Sequence, residues 1–157
     1  MPSSDDAAWG DFPRTILHFA DAHCPSVDLR QEVSREAICA LIRLDLDGPF
    51  GVVTALDPMG LTQSVQRHHA LAAELEREIA AMGVPFVLLD ACSPDRSHCE
   101  RSIAVAAPRS RVVEIACRYE QLAIFWFDGS SFWIVPARST GEQLRLPVAD
   151  RAGSLDG

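Results

Sequence analysis

The most chemically crowded stretch of the chain is Ser93-Pro94-Asp95-Arg96-Ser97-His98-Cys99-Glu100-Arg101. An imidazole near a carboxylate suits general acid–base work, with His98 as base and Glu100 as its partner. Asp95, His98 and Glu100 also offer donors to a metal ion, but their spacing matches no established metal signature. No metal site is therefore assigned. The same residues suit a solvated loop tied by its own ion pairs, and Ser93-Pro94-Asp95 is common turn material.

A second candidate is Asp57-Pro58-Met59-Gly60, at the carboxyl end of an apolar run. Ligands favour that position in open α/β sheets, and Asp57 suits a cation or a hydroxyl there. The competing reading is a turn and helix cap. No GxxxxGK[ST] or GxGxxG phosphate loop occurs. His68 and His69 are adjacent on an expected helix and point about 100° apart, so they read as surface histidines. His18 and His23 receive no role. The candidate cleft comprises Asp57, Asp95, His98, Glu100, Arg101 and Gln121; catalytic residues and cofactor are left unknown.

The five cysteines, Cys24, Cys39, Cys92, Cys99 and Cys117, are odd in number and include no CxxC pair. They read as free thiols, with Cys39 and Cys117 filling apolar helix faces. Cys99 beside His98 is too local for a catalytic dyad.

The elements that must position these groups follow from periodicity. Val33, Ile38, Leu41, Ile42 and Cys39 predict one apolar stripe on a helix over 34–44, capped by Ser34. Valine-rich 50–56 predicts a buried strand. Leu71, Leu75, Ile79 and Met82 predict a long helix over 62–82, stopped by Gly83. Strands follow at 84–90 and 102–107, separated by an irregular polar loop over 91–101. A helix is expected over 109–120, then a hairpin of 122–127 and 131–135 across Asp128-Gly129-Ser130. Near the start, Trp9, Phe12, Ile16 and Phe19 fit a short helix. A hairpin of 15–19 with 26–30 competes, and the turn material Asp21-Ala22-His23-Cys24-Pro25 favours it. The expected fold class is α/β (α+β). Its mixed sheet has the split βαβ order of ferredoxin-like folds, helices mainly on one face, and an N-terminal strand or helix addition. Residues 9–137 read as one domain between a disordered tail at 1–8 and an irregular tail at 138–157.

Composition narrows the function classes. The chain has 157 residues, 48% hydrophobic, enough for a core of its own. Its net charge is −8, and all 14 basic residues are arginine. This balance disfavours nucleic-acid and anionic-membrane partners. Missing lysine beside abundant alanine suggests a GC-rich bacterial genome. The polar, acidic N-terminus lacks the pattern of a secretory signal, which leads to a cytoplasmic expectation. Phe125, Trp126, Phe127, Phe132 and Trp133 concentrate aromatics on the last hairpin. Alternation separates Phe125 and Phe127 from Trp126. Trp126 and Trp133 either pack under a covering layer or support self-association.

Three motifs carry a resemblance. Phe50-Gly51-Val52-Val53-Thr54-Ala55-Leu56-Asp57-Pro58, a Glu100 ahead of the Ser102 strand, and Gln121-Leu122-Ala123-Ile124-Phe125-Trp126 occur in that order. Together they resemble an uncharacterised bacterial family, domain of unknown function 3293, over roughly 27–136. Asp57 stands where that family usually has Asn. The resemblance implies domain extent and fold, and no activity. The leading functional expectation is a small binding or regulatory domain, with a small molecule or protein as partner. The alternatives are an enzyme using His98 and Glu100, with or without a metal, and an acidic interaction or inhibitor domain.

Overall fold

The computed structural model describes residues 12–20, 24–54, 65–138 and 141–148, with backbone alone at 65–68. The expected tail at 1–8, Trp9, His23 and the Asp57 turn lie outside them.

A strand, a helix and a hairpin set the core. Strand β3 (Phe50–Thr54) leads through helix α2 (Val65–Ala81) to β4 (Phe86–Cys92), which turns back into β5 (Cys99–Val105). Strand β5 slots between β3 and β4, so Ile103 pairs with Val53 on one side and Leu88 on the other. Helix α3 (Arg109–Arg118) returns the chain to β6 (Ala123–Phe127) on the far side of β3. Strand β7 (Phe132–Pro136) and β8 (Leu144–Arg145) complete that side. The other side carries β1 (Ile16–Phe19) on β4, then β2 (Val27–Asp28). The spatial order is β2-β1-β4-β5-β3-β6-β7-β8, and the sheet curls into a half-barrel.

Every pairing in this sheet is antiparallel, which corrects the expected mixed sheet. The crossover through α2 makes β3 and β4 parallel to each other, but β5 separates them, so they never share hydrogen bonds. The N-terminal hairpin is present, and β1 uses its second edge to extend the sheet. Residues 91–101 are not irregular throughout. The ladder runs on through Cys92↔Cys99 and leaves a short turn at 93–98. Beyond Arg138 the chain rejoins the sheet at β8 and buries Leu146.

Strand alternation sorts the core into two layers. On one face Val53, Ile103, Val105, Ile124 and Val135 meet Leu75 and Ile79 of α2 and Val112, Ile115 and Ala116 of α3. On the other, Phe50, Phe127 and Phe132 form a cluster with ring centroids 4.9–5.8 Å apart. That cluster joins Leu17, Leu29 and the helix α1 (Arg35–Arg43), through Ala37 and Leu41. Ser34 caps α1 by accepting a 3.0 Å bond from the Ala37 N–H. The buried stripe of α1 is Ala37, Ala40 and Leu41, rotated from the expected one, so Ile42 is 45% exposed.

The cysteines need two corrections. Cys92 and Cys99 are joined by a disulfide rather than free, because the ladder sets them directly opposite one another. Cys39 and Cys117 are exposed, because their helices bury neighbouring positions instead.

Glycine at 51 has a steric cause. A Cβ there would sit 2.6 Å from Cγ1 of Val112, whose β-branched side chain has little freedom to move. Gly51 thus sets how closely α3 approaches β3. Gly51→Ala is expected to destabilise the fold by about 1–3 kcal/mol through overpacking. Denaturant melts check this. Adding Val112→Ala should recover part of the loss, and full additivity of the two losses would show that the contact is not the cause.

Candidate functional site

The ladder registers place three titratable side chains in one row. His18 on β1 pairs with Asp90 on β4, which pairs with Arg101 on β5. On β5 the odd positions Ile103 and Val105 face α2 and α3, so Arg101 lies on that face too. On β4 Leu88 shares the face with Asp90. Further along α2, Leu75 and Ile79 reach the sheet and are buried, but Ala72 and Ala73 are too short to do so. The space left between α2 and the β4–β5 hairpin is a cavity of about 580 Å³. His69, Leu75 and Glu76 line it from α2; Leu88, Asp90 and Arg101 line it from the sheet. Cys99 lies at the outer end of the same row of β5 side chains and also lines it. Among the described residues, neither Asp90 nor Arg101 has a side-chain ion pair. The cavity therefore offers one fixed positive and two negative groups on an apolar frame, which suits a small polar ligand bearing charge.

His18 flanks this row. Its Nδ1 lies 2.8 Å from Ser26 Oγ, and its buried Nε2 has no partner among the described residues. Burial pushes its pKa down, the nearby Arg96 cation adds to that, and Asp90 opposes both.

The sequence-chosen residues fall in several places. Asp57 lies outside the described residues. Asp95 organises the 93–98 turn: its Oδ1 accepts from Ser97 N–H at 3.0 Å, Ser97 Oγ at 2.7 Å and Ser93 Oγ at 2.9 Å. Those bonds, led by the Ser97 N–H, hold its carboxyl down to about 2. His98 Nε2 lies 3.1 Å from Glu100 Oε1, with side chains 67% and 30% exposed. Glu100 sits on the opposite sheet face from Arg101, by the same alternation that separates Ala104 from Ile103. Gln121 is buried at the end of α3, donating from Nε2 to the Tyr119 carbonyl at 3.1 Å. Of the five that are described, only Arg101 lines the cavity. The acid–base pair and the cavity are separate features. Among the described residues no three His, Cys, Asp or Glu side chains are placed to hold a metal ion.

Asp90 and Glu76 were missed because each looked ordinary by itself. Asp90 ends a hydrophobic run, where the period of two puts it beside Leu88. The small pair Ala72-Ala73 just before Leu75 was the other signal.

Residues 53–124 match the model of a family described as Protein of unknown function (DUF3293). No curated protein and no solved structure matches the chain.

His18 gives the site a pH signature. A depressed histidine pKa means that the unfolded chain binds the proton more tightly, so its contribution to stability is present above the unfolded value. Stability should fall as pH drops below about 6.5. Histidine NMR titration should place the His18 midpoint below the ordinary range, and His18→Gln should flatten that part of the stability profile. An ordinary midpoint would contradict the burial argument.

Proposed function

We propose that this chain, whose residues 53–124 belong to the DUF3293 family, binds a small charged molecule in the cavity between α2 and the β4–β5 hairpin. The observation that carries this reading is the about 580 Å³ space with Asp90 and Arg101 side by side along its sheet wall. A ligand bearing both an anionic and a cationic group, such as an amino-acid-like zwitterion, satisfies Arg101 and the carboxylates together. The bland alternative is a solvated groove in which the two side chains serve solubility alone.

Supporting readings fit around this one. The inner strands, in the order β4-β5-β3-β6, suit a split βαβ core of ferredoxin-like type. A cytoplasmic setting accords with the exposed thiols of Cys39 and Cys117. No helix among the described residues is long and apolar enough to cross a membrane. Trp126 and Trp133 pair across β6 and β7 and are half-buried, leaving area for self-association. The acid–base reading of His98 and Glu100 has their contact in its favour, but neither residue lines the cavity between α2 and the hairpin.

A thermal-shift panel of amino acids, dicarboxylates, polyamines and nucleotides tests the binding reading. A ligand at about 100 times its Kd adds about 2.7 kcal/mol to stability. The shift should vanish in Arg101→Ala and in Asp90→Asn, and persist in His98→Ala. A shift lost only in His98→Ala, or none across the panel, would move the function away from this cavity.

A further inference from the structure

We propose that Cys92 and Cys99 form a redox-active pair that exchanges with small thiols through Cys99 at the mouth of the cavity. The pair is held by backbone rather than by the sulfur bond. Cys92 and Cys99 are directly opposed in the β4–β5 ladder, with Cα atoms 4.1 Å apart. That is near the spacing of a non-hydrogen-bonded antiparallel pair. The rest of the ladder fixes this register, from Phe86↔Val105 to Ala91↔Glu100. Beyond the pair, the Ser93 N–H donates to the His98 carbonyl at 2.9 Å, and the Asp95 bonds close the turn. Reduction therefore leaves the two sulfurs facing each other in a folded hairpin.

The bond closes a loop of sequence separation 7. The gain from restricting the unfolded chain is smallest for short loops, so its stabilising effect sits at the low end for disulfides. In a chain that leaves Cys39 and Cys117 as exposed single thiols, such a bond is better suited to chemistry than to stapling.

Access is one-sided. Cys92 is only 2% exposed, whereas Cys99 is exposed and lines the cavity. Arg101 shares that cavity with Cys99 and favours an approaching thiolate; Asp90 and Glu76 oppose it. An external thiolate attacks Cys99 Sγ and forms a mixed disulfide there. The Cys92–Cys99 bond breaks, and Cys92 leaves as a thiolate that takes a proton from water. A second external thiolate attacks the external sulfur and releases Cys99 as a thiolate, which is protonated in turn. Two thiols become one external disulfide, and two electrons and two protons pass to the pair. An external disulfide runs the sequence in reverse.

The test uses the folded full-length chain in buffers of graded reduced-to-oxidised glutathione ratio. Each sample is alkylated, mapped by peptide mass and checked by circular dichroism. Cys92 and Cys99 should gain label together as the ratio rises, with the fold retained, and lose it on reoxidation. Cys39 and Cys117, as exposed single thiols, should form no bond within the chain at any ratio and take up at most one glutathione each at oxidising ones. Cys92→Ser should trap glutathione on Cys99 at oxidising ratios. A pair that opens only after denaturant unfolds the chain is a structural staple. That result overturns the proposal, as does an absent bond under oxidising conditions or glutathione carried mainly by Cys92. None of these outcomes depends on a ligand in the cavity.

Discussion

The insertion of β5 between β3 and β4 is the constraint on which the other features depend. Two antiparallel ladders meet on one strand, and each fixes which β5 side chains face which layer. Ile103 and Val105 belong to the layer of α2 and α3, and Ala104 belongs to the aromatic layer. A slip of one residue would exchange these sets and expose both cores. The same alternation decides the polar end of the strand. It sends Arg101 toward the cavity and Glu100 away from it. Thr54 Oγ1 donates to the Arg101 carbonyl at 2.9 Å, which ties β3 to β5 beside the Thr54↔Ser102 pair.

The two faces solve the same burial problem differently. The α1 side uses three interlocked phenylalanines, whose rings fill volume with few side chains. The α2–α3 side uses aliphatic residues and a close helix approach permitted by Gly51. Close packing of α2 through Leu75 and Ile79 coexists with a gap beside Ala72 and Ala73 in the middle of the same helix. The small size of those two side chains opens space against the β4–β5 hairpin.

Much of the architecture was legible because periodicity reports burial directly. The stripe of Leu71, Leu75, Ile79 and Met82 found α2, and the valines of β3 found a strand covered on both faces. The separation of Phe125 and Phe127 from Trp126 also held: the phenylalanines joined the α1 side and Trp126 the other. What was not legible depended on partners distant in sequence. The polar residues 93–101 look like a loop until the Cys92↔Cys99 register is known. Their dense chemistry is mostly turn chemistry, with Asp95 bonding Ser93 and Ser97. The candidate site was illegible for the same reason. Glu76, Asp90 and Arg101 come from three elements: the ladder sets Asp90 beside Arg101, and the packing of α2 on the sheet brings Glu76 to the same space. The stripe of α1 was misread because its two alanines, Ala37 and Ala40, carry the burial that larger residues were expected to carry.

The outermost strands have a consequence for how the molecule behaves in a crowded solution. Both margins of the sheet, β2 and β8, are only two residues long, and they carry Asp28 and Arg145. A long, flat, uncharged margin recruits strands from neighbouring molecules and seeds fibrils. Here each margin ends almost as soon as it begins, and one of its few positions holds a charge. Among the described residues the eight-stranded sheet therefore ends on two short, charged strands, which offer a second molecule few backbone groups of their own to pair with.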